Sequence, residues 1–190
     1  MQFTLRFVLY IFATGLVIAV LLTLIGGSLL RASLPQYDGE APLSGLSAPV
    51  LIDRDALGSV TFKGENRLDL ALAMGYVHAQ ERFFEMDLMR RQAAGELSEL
   101  LGTASLVHDR KARAFRMRSR AAAVLQQLPE TQLQLLDAYR NGINQGITAL
   151  TVRPFPYLLT QTQPVEWRNE DSILVIAAMF FTLNESNIYR

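Results

Sequence analysis

The chain has 190 residues, 50% of them hydrophobic, and its 18 Lys and Arg balance its 18 Asp and Glu. A formal net charge of zero gives no electrostatic reason to expect nucleic acid or an anionic surface as the main partner, so we expect no nucleic acid. The absence of cysteine excludes disulfides, thiolate metal sites and a Cys nucleophile within these residues.

The first predicted element is an apolar helix. Residues 7–30 contain no charged side chain and lie between Arg6 and Arg31. A helix that crosses a bilayer needs roughly 20 apolar residues, whereas the apolar core of a cleaved signal peptide has about 7–15. The residues that follow offer no clean small-x-small cleavage site. We therefore predict an uncleaved signal anchor, with a long cleaved signal as the alternative.

Two short elements precede the main part of the chain. Residues 32–48 are rich in Pro, Gly and Ser and predict a linker. The next residues predict two short strands, Val50–Ile52 and Val60–Phe62, joined by a turn. The predicted division is a signal anchor or transmembrane segment at 1–31, a linker at 32–48 and a main portion at 49–190.

The main portion is predicted to be mostly helical, which gives an α+β fold class. Apolar periodicity and capping residues predict helices over about 67–93, 95–102, 104–127 and 129–147, and a last one from Asn169 or Asp171. Residues 151–167 contain three prolines and are predicted to be irregular.

The most informative stretch is GYVHAQERFFEMDLMRRQAAGELSELLG at residues 75–102. On a helix its apolar side chains cover most of the circumference, which is typical of a buried helix. Its charged side chains then need partners, since an unpaired buried charge is strongly destabilising. Asp87 can pair with Arg90 at i+3 or with Arg91 at i+4.

Two chemical interpretations compete with this structural one. His78, Glu81 and Glu85 share one helix face, so they could ligate a metal, and His78 could act as a general acid or base. A His-x-x-Glu pair alone is a weak signal, and no nucleophile lies nearby in the sequence. The pattern therefore favours a buried helix whose charges pair internally.

The rest of the sequence contains no complete catalytic constellation. The basic stretch 109–120 could bind nucleic acid or anionic lipid. Because apolar residues interrupt it, the pattern favours the solvated face of an amphipathic helix. No Gly-rich phosphate loop, G-x-S-x-G elbow or zinc signature occurs. We therefore assign no catalytic residue to these 190 residues.

Three stretches in order resemble the N-terminal portion of penicillin acylase family precursors. They are VLIDRDALGSVTF at 50–62, NRLDLALAMGYVHAQERFFEMDLMRRQAAGELSELLG at 66–102 and VEWRNEDSILVIAAM at 165–179. The family consists of N-terminal-nucleophile hydrolases and includes penicillin, cephalosporin and acyl-homoserine lactone acylases. One departure is Gly58-Ser59-Val60, where the family often has a Pro-His pair after the Gly.

The resemblance implies a mechanism that this sequence cannot complete. Family precursors cut themselves into an α and a β chain, and the new N-terminal Ser of the β chain is the nucleophile of an αββα fold. Its α-amino group, with a pKa near 8, serves as the base for its own hydroxyl. The sequence looks like an α chain or a truncated precursor, and we expect it to be inactive alone.

The resemblance also implies two roles for the last helix and the turn after it. Family α chains contribute one wall of the acyl pocket and one calcium ligand. We expect Met179, Phe180 and Phe181 to line the pocket, although core packing is an equal alternative for each of them. Glu185 is the predicted ligand of a structural calcium ion, because a hard cation prefers carboxylate oxygen.

The expected partners are the β chain of the same precursor, a small N-acyl substrate and, through the N-terminal helix, a membrane. We expect a periplasmic or other extracytoplasmic protein that residues 7–30 anchor to the inner membrane, or a soluble periplasmic one if the signal is cleaved. A membrane-anchored helical binding or scaffold protein without catalysis is the alternative function. A third hypothesis is a protein that keeps the family's fold but has lost the downstream nucleophile.

Overall fold

The computed structural model describes residues 2–188, and the side chains of residue 10 and residues 12–184. Helices dominate, and the described residues contain one small sheet, so the mostly helical prediction is confirmed. The helices are α1 (Gln2–Ala32), α2 (Arg67–Ala94), α3 (Ser98–Leu101), α4 (Leu106–Arg113), α5 (Met117–Leu125), α6 (Glu130–Ala149), α7 (Phe155–Leu159) and α8 (Asn169–Ile188). A 3₁₀ turn, Gly102–Ser105, lies between α3 and α4.

The sheet is a single antiparallel hairpin of β1 (Leu51–Arg54) and β2 (Val60–Lys63). Ile52 lies opposite Phe62 in its register. The carboxylate of Asp55 closes the connecting turn by accepting from the backbone N–H groups of Leu57 and Ser59. Both predicted strands are therefore confirmed, with each strand ending later than the sequence indicated.

Helix α2 is the central element, and its ends follow its sequence closely. The side chain of Asn66 caps the first turn by accepting from the backbone N–H of Asp69. Gly95 ends the helix in the left-handed conformation, with φ of 73°. Arg82 has non-helical dihedrals, φ −146° and ψ 26°, so the helix kinks there.

Helices α2 and α6 approach each other closely through three glycines. A Cβ added at Gly75 would lie 2.2 Å from the carbonyl oxygen of Tyr139, and one at Gly142 would lie 1.9 Å from that of Leu72. A Cβ at Gly146 would lie 2.6 Å from the carbonyl oxygen of Tyr76. The backbones of the two helices are therefore in direct contact, and only glycine fits at these positions.

Two hydrophobic clusters flank α2. The first joins α2, α6 and α7 around large buried side chains, among them Phe83, Ile143, Tyr157 and Trp167. The second joins α2, α5 and α8 around small and medium ones: Ala93, Ala94, Ala121, Leu174, Ala177 and Ala178. The small side chains of the second cluster let α8 lie close to α2 and α5.

Two sequence predictions need correction in the middle of the chain. The single helix expected over 104–127 is two helices, because Arg116 adopts a left-handed conformation with φ of 53° and separates α4 from α5. The segment expected to be irregular contains α7, a short helix that follows Pro154. Pro129 is the residue before α6 rather than its first residue, because its ψ of 147° is extended.

The segment predicted as a linker is tied to the helices behind it. The backbone N–H of Ser47 and that of Ala48 donate to the carboxylate of Asp69, and the Ser47 hydroxyl donates to it as well. Ser44 exchanges two hydrogen bonds with the side chain of Gln145 on α6. This part of the chain therefore packs as part of the helical body, while the predicted domain boundaries stay a prediction.

Helix α1 is long and apolar enough to cross a membrane. The stretch Phe12–Ala32 has 21 residues, a mean hydropathy of 2.2 and no buried side chain among the described residues. A signal sequence near the N-terminus passes the same test of length and composition. Both alternatives drawn from the sequence, an anchor and a cleaved signal, are therefore compatible with this helix.

Candidate functional site

The three polar residues that share a face of α2 in the sequence, His78, Glu81 and Glu85, have separate surroundings in the structure. The Nδ1 of His78 lies 2.9 Å from the hydroxyl of Tyr139, and the two rings meet edge to face. Glu81 instead binds Arg54 of the hairpin at 2.6 Å, and Glu85 is exposed. No group of three His, Asp or Glu able to hold a metal occurs among the described residues.

The environment of His78 lowers its capacity to carry a charge. Burial lowers the pKa of His78, and the nearby Arg82 lowers it further. Burial also raises the pKa of Tyr139 to about 12. The pair is thus a neutral hydrogen bond between α2 and α6 at neutral pH, which is a structural role.

The charged residues further along α2 form a buried network. Oδ1 of Asp87 accepts from Arg90 at 2.6 Å and from Arg91 at 2.9 Å, and Oδ2 accepts from the hydroxyl of Tyr157 at 2.6 Å. The predicted pairing of Asp87 is therefore confirmed, with both arginines rather than one. Burial and the carboxylate of Asp87 together raise the pKa of Tyr157 well above its ordinary value.

Arg90 carries the network from α2 to α8. Its Nη1 donates to Asp171 at 2.6 Å, and its guanidinium also donates to the carbonyls of Val165 and Glu166 just before α8. The same guanidinium lies 5.0 Å from the ring centroid of Trp167. One side chain therefore fixes both the approach to α8 and its first turn.

Arg118 completes the attachment of α8 on the side of α5. It donates to Asp171 at 3.0 Å and binds Glu96 through two nitrogens. Burial alone would lower the pKa of Arg118, but the hydrogen bonds and charges of Glu96 and Asp171 raise it above its ordinary value. Asp171 also accepts from the backbone N–H of Arg168, which caps the helix.

The far half of α8 presents an apolar stripe to solvent. Its members are Ile176, Met179, Phe180 and Leu183, which are exposed and follow one another at i, i+3, i+4 and i+7. Met179 is 52% exposed and Phe180 is 59% exposed. Large exposed apolar side chains grouped in this way are typical of a surface that binds a protein, a membrane or a ligand.

The three residues predicted for an acyl pocket divide into two groups. Met179 and Phe180 lie on the exposed stripe. Phe181 turns the other way and packs against the second hydrophobic cluster and the ring of Phe115, whose centroid is 5.0 Å away. The side chain of Glu185 lies outside the described residues, so its role as a calcium ligand stays a prediction.

The basic stretch after α3 has mixed roles. Asp109 is buried and accepts from the backbone N–H groups of Leu97 and Ser98. Arg113 donates to the carbonyl of Gly95, and Arg118 belongs to the network described above. The remaining basic residues of the stretch are exposed: Arg110, Lys111, Arg116 and Arg120.

A cavity that sequence reasoning missed lies between residues 36–54 and α2. Its volume is about 770 Å³, and its lining includes Tyr37, Leu43 and Val77. The buried Gln80 in its wall already accepts from the backbone N–H of Gln36 and donates to the hydroxyl of Tyr76. Residues 32–48 have the composition of a linker, so no pattern in the sequence predicts the cavity.

Comparison with known proteins decides the family. The sequence model of the penicillin amidase family matches residues 49–190. The chain belongs to the penicillin amidase family. The match covers the stretches that suggested the family from sequence, so that resemblance is confirmed.

Relatives of the chain in the penicillin amidase family include two kinds of acylase. It is 34% identical over 147 residues to penicillin acylase 2 proenzyme of Pseudomonas sp. (strain SE83), covering 77% of this chain and 19% of that protein. It is 33% identical over 153 residues to acyl-homoserine lactone acylase QuiP of Pseudomonas aeruginosa, covering 80% and 18%. The chain thus spans about a fifth of the length of the curated relatives it matches.

A solved structure shares the fold. Thermostable penicillin G acylase from Alcaligenes faecalis superposes with a TM-score of 0.65 at 20% sequence identity. The match covers 73% of this chain and 75% of the solved chain. About three quarters of this chain therefore shares its fold with part of that penicillin G acylase chain.

Proposed function

We propose that these residues are the α-chain portion of an acylase that hydrolyses an N-acyl amide, completed by a β chain of the same precursor. The main support is that the chain covers most of a solved acylase chain but only a small part of a related proenzyme. The chain covers 75% of the solved penicillin G acylase chain but only 19% of the penicillin acylase 2 proenzyme. This contrast supports a small chain that is cut from a much longer precursor.

The proposed chemistry uses groups outside the described residues. The N-terminal Ser of the β chain gives its hydroxyl proton to its own α-amine and attacks the carbonyl carbon of the amide. The amine leaves with a proton, and water then hydrolyses the acyl-enzyme. The α chain supplies one apolar wall for the acyl group, and the exposed Met179 and Phe180 support this role.

The substrate class follows from the relatives. One is a penicillin acylase and the other an acyl-homoserine lactone acylase, so we infer an N-acyl amide such as a β-lactam side chain, an acyl-homoserine lactone or a related compound. The complete gene product should hydrolyse at least one chromogenic phenylacetyl or fatty-acyl amide. Replacement of its β-chain nucleophile by Ala should abolish the activity. Hydrolysis by residues 1–190 alone would contradict the proposal.

We propose a calcium ion as a structural cofactor, with Glu185 as one ligand. The described residues do not provide a site by themselves, so the remaining ligands would come from elsewhere in the protein. In the complete protein, Glu185→Gln should reduce the rise in Tm that added calcium produces. An unchanged calcium dependence would remove Glu185 from the site.

The proposed location is the periplasm, with α1 as an anchor in the inner membrane. The apolar stretch of 21 residues supports an anchor. Alkaline carbonate extraction of membranes should leave the α chain in the pellet. Release of a chain that lacks residues 1–31 would favour the cleaved signal.

The alternative function is a membrane-anchored scaffold without catalysis. The exposed apolar stripe of α8 would then be a protein-binding face. A complete gene product that is not cut and hydrolyses no amide would favour this alternative.

A further inference from the structure

The turn between α4 and α5, residues 114–116, packs against the half of α8 that carries the apolar stripe. The ring of Phe115 lies 5.0 Å from that of Phe181, at an interplanar angle of 44°. Phe181 in turn meets Phe180 edge to face, with their centroids 6.0 Å apart. Phe181 therefore contacts both Phe115 on the turn and Phe180 on the exposed stripe of α8.

The residues that follow Phe115 hold the turn in place. Arg116 adopts a left-handed conformation, which is unfavourable for a residue with a side chain. Such a conformation persists only where neighbouring contacts impose it. Here the next residue, Met117, packs into the second hydrophobic cluster, and Arg118 binds Asp171 at the start of α8. The position of Phe115 relative to α8 is therefore fixed by its neighbours.

Phe115 limits where the ring of Phe181 can go. Phe181 is half-buried between Phe115 and the cluster, whereas Phe180 beside it is 59% exposed. The ring of Phe115 occupies the space next to Phe181, so the ring of Phe181 cannot move into that space. Removal of that ring would leave a space into which Phe181 could move, and this would enlarge the surface beside Phe180.

We propose that Phe115 is a positioning residue that sets acyl specificity: by holding Phe181 against Phe180, it restricts the surface of α8 to short or compact acyl groups. This inference rests on the proposed function, because it requires that α8 line the acyl pocket. It extends that pocket to a turn that the sequence interpretation treated as the middle of a solvated helix.

The test uses the complete, matured protein and measures kcat and KM for phenylacetyl amide and for straight-chain acyl amides of increasing length. Phe115→Ala should raise kcat/KM for the longest chain relative to phenylacetyl by roughly fivefold or more, mainly through KM, since one methylene in an apolar pocket changes specificity by about tenfold. Phe115→Leu should give a smaller shift in the same direction. An unchanged ratio would overturn the inference.

Phe155→Ala provides a matched control. Phe155 on α7 is 43% exposed, close to the 42% of Phe115, and it lies on a different helix from the stripe. Its substitution should leave the ratio unchanged within about twofold, the scatter expected of a surface position. An equal shift in Phe155→Ala and Phe115→Ala would overturn the inference. If Phe115→Ala does not mature, the kcat/KM ratio of Phe115→Leu is compared with that of Phe155→Leu, and the same outcomes support or overturn the inference.

A double substitution tests whether Phe115 acts through Phe181. In a Phe181→Ala background, Phe115→Ala should produce no further change in the ratio, since the ring that it positions is gone. The same shift in both backgrounds would overturn this role. Failure of the wild-type protein to hydrolyse any amide would contradict the proposed function itself, and the inference with it.

Discussion

Asp87 shows how single residues determine the interior of this protein. Its carboxylate is fully buried, and it accepts hydrogen bonds from Arg90, Arg91 and Tyr157. Buried charges of this kind contribute little net stability as a pair but become strongly destabilising when one partner is lost. The network therefore fixes which side chains lie together more than it adds to the free energy of folding.

Asp87→Asn should lower the free energy of unfolding by about 3–5 kcal/mol, because it leaves two buried guanidinium groups without their shared negative charge. Urea denaturation of the matured protein measures this. Asp53→Asn is the matched control, since Asp53 pairs with Lys63 at the surface and its loss should cost at most about 1 kcal/mol. Equal losses in the two variants would contradict the structural role of the network.

Asp69 makes a second residue-scale prediction, on pH. Hydrogen bonds from the hydroxyl and backbone of Ser47 lower its pKa below the ordinary value. A group with a lowered folded pKa stabilises the fold above its unfolded pKa, and that stabilisation is lost as the pH falls through the folded pKa. The stability difference between wild type and Asp69→Asn should therefore shrink below about pH 4.

Urea midpoints of both proteins between neutral and acidic pH measure this difference. Glu65→Gln is the control, because Glu65 is exposed on the segment before α2. A difference for Asp69→Asn that stays constant with pH would show that the ionised carboxylate does not hold residues 47 and 48 against α2.

At the scale of elements, glycines decide how α2 and α6 pack. Gly75, Gly142 and Gly146 bring the two backbones into contact, and Ile143 fills the space beside them. Helices that approach this closely gain dispersion contacts along their backbones. This packing places α6 where its Asn144 can bind the backbone of Trp167, at the entrance to α8.

Gly142→Ala should destabilise the protein by about 3 kcal/mol, because the new methyl would overlap the carbonyl of Leu72 and force the helices apart. The free energy of unfolding from urea denaturation checks the value. Gly26→Ala in α1 is the control, since no atom lies within 4 Å of the added Cβ. Full tolerance of Gly142→Ala would contradict the close approach of the two helices.

The sequence predicted best those elements that depend on neighbouring residues, such as helix caps and pairs at helical spacing. The limits of α2 follow from Asn66 and Gly95, and the pairing of Asp87 with its arginines follows from helical spacing. Contacts between distant segments had no such signal. The links from Arg90 to Asp171 and from Glu81 to Arg54 depend on tertiary packing that no single stretch encodes.

The sequence indicated which helix to consider for the acyl wall, but not which of its side chains face outward. The resemblance indicated the last helix, and α8 does carry an exposed apolar stripe there. Consecutive helical residues point about 100° apart, so Met179, Phe180 and Phe181 cannot share one face. Which of them faces inward depends on the packing of α5 against α8. The break between α4 and α5 at Arg116, which places Phe115 beside Phe181, has no glycine, so the sequence did not predict it.

At the scale of the whole molecule, the chain spans about a fifth of the length of the curated relatives it matches. Helix α8 is attached firmly at its start by Asp171 and exposes apolar side chains along its second half. Grouped apolar side chains of this kind mark a surface that another molecule or chain covers. The proposed β chain would provide that surface and, with it, the nucleophile.

We propose above all that this chain is the α portion of an acylase whose nucleophile lies downstream. Intact-mass analysis and N-terminal sequencing of the purified complete gene product test it most directly. We predict two chains that copurify, the smaller containing residues 49–190 and the larger beginning with Ser. A single uncut chain, or a second chain that begins with a residue that cannot act as a nucleophile, would contradict the claim.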